Sequence, residues 1–194
     1  MAQWTVLGIC GSLRQGSYNA ELLRLAAELC PEVSIVGRQA AGRLPLFNPD
    51  IEDEEVIPEP AREFRSLADV SDGVIIASPE YAHGPSGVVK NAMDWLVGSG
   101  GLAGKPTLLM SASPGQAGGM RGHLPLIPTL TLMGAVPVDS VTVSGAPALV
   151  DDHGEFHDPA VRERMRLAME AFSRALSYSR QKSENLRLVD SPTR

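Results

Sequence analysis

The 194-residue chain is 43% hydrophobic and 21% charged, the balance of an ordinary globular domain rather than a disordered or fibrous one. Its formal net charge of −6 argues against nucleic acid and anionic membrane surfaces as partners, because both reward clustered Lys and Arg. No run approaches the roughly 18 apolar residues of a membrane span, and no basic stretch followed by a long apolar segment opens the chain, so a cytoplasmic protein without a membrane span is expected.

Trp4 to Ile9 reads as a buried strand. Leu22, Leu25, Ala26, Leu29 and Cys30 then repeat at helical spacing, with Ser17 as N-cap and Pro31 as the stop. Val33 to Val36 supplies a second strand, and a loop with an acidic stretch runs from Gly37 to about Pro60. A helix over Ala61–Val70 leads to Val74–Ala77, an unbroken apolar run of the kind that marks a strand covered on both faces. Pro85 is expected to open the next helix, where its missing N–H costs nothing, and Val88, Val89, Ala92, Met93 and Leu96 form its stripe.

"GKPTLLMSASPG" repeats the pattern of a strand followed by small residues. Pro125 and Pro128 fall inside the fourth helical segment, so that helix is expected to start late, near Leu124, or to kink. Val136 to Val143 is the last strand. Asp158-Pro159 caps a final helix reaching about Tyr178, and residues 179–194 read as a polar, loose tail. Residues 1–178 thus form one α/β domain. Strand alternating with helix implies a parallel sheet with helices on both faces and right-handed crossovers. Five strands fit the flavodoxin-like order 2-1-3-4-5, a three-layer sandwich with its ligand crevice at the carboxyl ends of the strands. Cys10 and Cys30 form no CxxC and read as free buried thiols.

Three loops at that edge carry the chemistry. "GICGSLRQGSYN", residues 8–19, runs from the first strand into a helix N-terminus, where backbone N–H groups have no partner. Ser12, Ser17 and Asn19 add polar groups and Arg14 a fixed cation, a set that suits phosphate. The alternative is a glycine-rich turn whose serines merely cap the helix. The spacing is neither GxxxxGK[ST] nor GxGxxG. "ASPEYAHGPSG", residues 77–87, offers the face of Tyr81 and the backbone of Glu80–His83 to a planar heterocycle, or else is a plain connector. "SASPGQAGGMRG", residues 111–122, is glycine-rich and admits close backbone approach to a ligand, or again is a connector. In the doubly wound order the three loops converge on one crevice.

"GSLRQGSYN", "PEYAHGPSGVVKNAMDWL" and "SASPGQAGG" resemble the signature loops of the NADPH-dependent FMN reductase family, which includes quinone, azo-dye and chromate reductases. The resemblance spans about residues 4–176. It implies that Ser12, Arg14, Ser17, Tyr18 and Asn19 hold the FMN phosphate. Pro79, Glu80, Tyr81, Ala82 and His83 would cradle the isoalloxazine ring, with Ser113, Gly115 and Gly118 at its other edge. "LPLFN", residues 44–48, resembles the family's loop after the second strand. Ala82 stands where relatives commonly carry Asn.

The function so implied is an NADPH- or NADH-dependent oxidoreductase in which hydride passes through flavin N5 to a quinone-like or other small-molecule acceptor. No side chain is required as acid or base, because the flavin carries the chemistry. The competing readings are an electron-transfer module like flavodoxin and a non-catalytic binder of phosphoryl ligands. Relatives form homodimers and homotetramers, and the Trp95-bearing helix is a candidate contact surface, although Trp95 reads first as core. Lys90, Asn91 and Asp94 read as a solvated face with local hydrogen bonding. His153 and His157 lie in "DDHGEFHDP", which reads as a turn and helix cap rather than a metal site, and GxSxG is absent.

Overall fold

The computed structural model describes residues 3–53 and 55–189. The opening apolar run forms β1 (Trp4–Cys10), and the helical stripe behind it forms α1 (Tyr18–Leu29). Ser17 caps this helix, its Oγ accepting from the Ala20 N–H at 3.3 Å. β2 (Val33–Val36) and α2 (Glu59–Val70) follow, then β3 (Gly73–Ala77) and a ribbon of two short strands, β4 (Glu80–Tyr81) and β5 (Gly84–Pro85). The chain continues through α3 (Gly87–Val97), β6 (Pro106–Ala112), α4 (Met120–Leu132), β7 (Val136–Val143) and α5 (Pro159–Val189).

β1, β2, β3, β6 and β7 pair in parallel in the order β2-β1-β3-β6-β7. Counted along this sheet, that is the expected 2-1-3-4-5. Alternate side chains feed two cores. Val6, Cys10, Ile75 and Met110 pack with α1 and α5, while Leu7, Ile9, Ile76 and Leu109 pack with α2, α3 and α4. All five residues of β3 are buried, which is why its sequence shows no polar alternation. Each large side chain so buried contributes about 1.5–3 kcal/mol. The register sets Cys10 beside Ala77 and Ala77 beside Met110, so β1 and β3 end at one level, and β6 runs two residues further along the same edge, to Ala112.

Three boundaries differ from the expectation. Pro85 does not open α3: it sits in β5, and Ser86 caps the helix with its Oγ 3.3 Å from the Val89 N–H. A residue without an N–H fits the edge of a ribbon. The fourth helix starts at Met120 rather than near Leu124, with Pro125 and Pro128 inside it. Each interior proline costs about 3 kcal/mol, a cost that full burial of Leu126 and Leu130, about 1.5–3 kcal/mol each, works against. The Thr129 hydroxyl donates to the Pro125 carbonyl and the Thr131 hydroxyl to that of Ile127, each at 2.9 Å. Finally, α5 runs past Tyr178 to Val189, so residues 179–189 continue the helix instead of forming a separate tail. Arg180, placed beyond that expected end, stacks on the Trp4 ring at 3.8 Å and reaches Asp72 at 3.2 Å. Residues 190–194 lie outside the described part. The expected cap on α5 is present, the Asp158 carboxylate accepting from the Val161 N–H at 2.9 Å.

Candidate active site

The loop after β1 is pressed against the start of α3. A Cβ at Gly11 would lie 2.5 Å from Ser86 Oγ and 2.6 Å from Val89 Cγ2, so only glycine fits. Ser12 Oγ accepts from the Arg14 N–H at 3.4 Å, and the Cys10 thiol donates to the Ser12 carbonyl at 3.5 Å. Burial raises the Cys10 pKa above its ordinary value, so a neutral thiol underlies the loop. Among the described residues, the backbone N–H groups from Gln15 to Asn19 have no hydrogen-bond acceptor. They gather at the positive end of α1. Arg14 is exposed with its guanidinium 5.8 Å from the Tyr18 ring, and that ring tilts against Phe156 at 6.5 Å.

Asn19 is 4% exposed, and its side chain has a different task from the one the resemblance implies. Its Nδ2 donates to the Ala112 carbonyl at 3.1 Å and its Oδ1 accepts from the Ala112 N–H at 3.2 Å. The amide thus clamps the first turn of α1 to the end of β6, where the third loop begins. Only the backbone N–H of Asn19 remains for an anion.

The second loop is a two-residue hairpin. Glu80 pairs with Pro85 and Tyr81 with Gly84, and Ala82 and His83 at its tip have φ of 50° and 60°. Tyr81 is 56% exposed, a flat face open to a ligand. Ser78, fully buried, anchors the base, its Oγ accepting from the Ser86 N–H at 3.4 Å. Glu80 bridges the hairpin tip and α4: its Oε1 lies 3.3 Å from His83 Nδ1. Its Oε2 accepts from the Arg121 N–H at 3.2 Å, and its other oxygen lies 3.5 Å from the Arg121 guanidinium. The same guanidinium is 3.2 Å from His83 Nδ1. A carboxylate at a helix N-terminus is stabilising, so Glu80 fixes the hairpin to α4. The sequence reading did not single out Arg121. Its signal was a cation two residues past the third loop's paired glycines.

The third loop is braced on both sides. Ser113 N–H donates to the Val143 carbonyl at 3.0 Å, and Ser113 Oγ accepts from the Gly115 N–H at 3.1 Å. Ser111 Oγ donates to the Gly118 carbonyl at 2.6 Å. Gly119, at φ 91°, has no room for a Cβ, which would meet Ser111 Oγ at 2.6 Å. A Cβ at Gly122 would lie 3.3 Å from the Gly84 carbonyl oxygen, so α4 touches the second loop. The three loops therefore meet on one rim.

Behind them, Asn91 braces residues 44–48. Its Oδ1 accepts from the Phe47 N–H at 2.8 Å and its Nδ2 donates to the Pro45 carbonyl at 2.9 Å. Lys90 and Asp94 pair on the outside of the same helix. Trp95 is fully buried under Phe47, edge to face at 5.2 Å, and is not available as a contact surface.

A model of the family described as NADPH-dependent FMN reductase matches residues 4–148. The chain belongs to that family. An NAD(P)H-dependent FMN reductase of Pseudomonas aeruginosa is 34% identical over 170 residues, covering 86% of this chain and 91% of its own length. A quinone reductase of Pseudomonas putida is 35% identical, with 80% and 86% covered. Among solved structures, a flavoenzyme NAD(P)H:(acceptor) oxidoreductase of Paracoccus denitrificans superposes with a TM-score of 0.82 at 25% identity, over 91% of this chain and 98% of its own. As a member of the NADPH-dependent FMN reductases this chain is an oxidoreductase, with FMN and NAD(P)H as its cofactors. The donor set fits FMN: clustered N–H groups and Arg14 suit a phosphate, and Tyr81 between two close-packed loops suits a flat ring.

Proposed function

We propose that this FMN reductase passes hydride from NAD(P)H to quinone-like or other small electron acceptors. The observation that carries the reading is the set of N–H groups from Gln15 to Asn19 without acceptors, beside Arg14 and on the rim shared with the Tyr81 hairpin. Ser12, Arg14, Ser17 and the N–H groups of Tyr18 and Asn19 hold the phosphate. Pro79, Glu80, Tyr81, Ala82 and His83 flank the ring on one side, and Ser113, Gly115 and Gly118 approach its other edge. FMN, when bound, supplies the hydride chemistry at N5. The chain binds and orients: Arg14 neutralises phosphate charge, the hairpin shapes the acceptor's entrance, and Glu80 is already engaged by α4 rather than serving as acid or base.

Anaerobic mixing with NADPH tests this. Bleaching of the flavin's blue absorption band by one equivalent of NADPH, and its return when a quinone is added without any partner protein, is the expected result. A band indifferent to NADPH sinks the reading. Reduction with re-oxidation only by a redox protein favours a flavodoxin-like carrier.

We also infer a cytoplasmic homodimer or homotetramer. Buried free thiols at Cys10 and Cys30 suit a reducing compartment. No helix among the described residues is long and apolar enough to cross a membrane. α4 exposes Leu124, Ile127 and Leu132 in a stretch, Gly122 to Val138, without Asp, Glu, Lys or Arg.

A further inference from the structure

The phosphate-binding loop has a second side. Between residues 12–17, the start of α1 and the segment after β2 lies a cleft of about 830 Å³. That is the size of a whole small-molecule site, about 300–1,000 Å³, and more than one phosphate group requires. Its charged lining is Arg14, Arg38 and Arg43, with no acid among the lining residues, in a chain whose net charge is −6. Gln15 and Gln39 add amides.

Arg38 is positioned by the sheet. A Cβ at Gly8 would come within 3.0 Å of Arg38 Cγ and 2.6 Å of Ile35 Cγ2, so the Arg38 stem lies over the glycine of β1. Among the described residues Arg14 and Arg38 have no carboxylate partner. Arg43 pairs with Glu63 at 3.2 Å, but both are exposed and such a pair contributes little. Three guanidinium groups around one cleft repel each other until an anion enters, and planar guanidinium matches phosphate in particular.

We propose that this cleft is a second phosphoryl subsite, continuous with the FMN phosphate cradle, in which Arg38 and Arg43 take the second phosphoryl group of a phosphorylated nucleotide. The proposal rests on the reading of residues 12–19 as that cradle. Two sources offer the chemistry: the 2′-phosphate of NADPH as electron donor, and the adenylate phosphate of FAD in place of FMN.

The test compares wild type with Arg38→Gln/Arg43→Gln, and with Arg38→Gln alone, which leaves the Arg43–Glu63 pair intact. FMN affinity is measured first by fluorescence. It is expected to agree within about twofold among the three proteins, because only the second group's ligands have changed. Wild type that binds no FMN would overturn the cradle itself, separately from the subsite. FMN-saturated protein is then titrated calorimetrically with 2′,5′-ADP and with 5′-AMP, and apoprotein with FAD. Loss of about tenfold or more in 2′,5′-ADP affinity in the variants, with 5′-AMP unaffected, assigns the site to the donor's 2′-phosphate. The same loss for FAD assigns it to an adenylate. If 2′,5′-ADP and FAD bind all three proteins equally, or bind none, the subsite does not exist.

Discussion

Ala82 and His83 occupy the two central positions of a tight hairpin with φ of 50° and 60°, a conformation that favours Asn-Gly and resists residues with a Cβ. Ala has no polar side chain to offset the cost. Ala82→Asn is expected to stabilise the protein by about 1 kcal/mol, raising the unfolding midpoint by about 2–4 °C in a calorimetric scan. An unchanged midpoint would mean the hairpin relaxes at no cost. The sequence shows the residues of this loop but not the hairpin, because two-residue strands leave no periodicity to read. It likewise shows Asn19 but not its occupation, since nothing local reveals that Ala112, far along the chain, takes both ends of the amide. Arg121 escaped for the same reason: its partner Glu80 is 41 positions away.

Among the elements, α4 depends on His123. This side chain is 2% exposed, its Nδ1 lies 2.7 Å from Ser140 Oγ on β7, and its Nε2 has no partner among the described residues. Burial lowers its pKa from the ordinary 6.5, so the folded protein keeps it neutral. In the unfolded chain it titrates near 6.5. Below that pH the unfolded state takes up a proton that the folded state refuses, so stability falls as pH drops toward the folded pKa. The slope reaches at most about 1.4 kcal/mol per pH unit. Urea unfolding of wild type and His123→Gln between pH 7.5 and 5 (roughly the span over which an ordinary His titrates) is expected to diverge below about 6.5. Parallel curves would contradict it. The strands and most helices were legible because burial on one or both faces writes its period into the residues. The start of α4 was not, since long-range packing outweighs a local proline penalty. Nor was the end of α5, whose last turns are polar, with Ser177 and Ser183 hydroxyls turned back onto carbonyls of the same helix.

For the whole molecule, the open question of assembly falls on α4 rather than on α3, whose apolar stripe is spent on its own core. Leu124 is 61% exposed and Leu132 84%, on a helix bordering the second loop. Leu124→Lys with Leu132→Lys is expected to shift the protein to monomer in sedimentation, with the FMN affinity of the isolated chain retained. A wild type already monomeric at micromolar concentration would remove the basis for self-association. The Asn19 clamp carries a further consequence. By tying the start of α1 to the outlet of β6 inside the core, it makes two distant turns share one rigid frame before any ligand arrives. The entropy of arranging them is lost at folding, and an incoming nucleotide meets a mould already set.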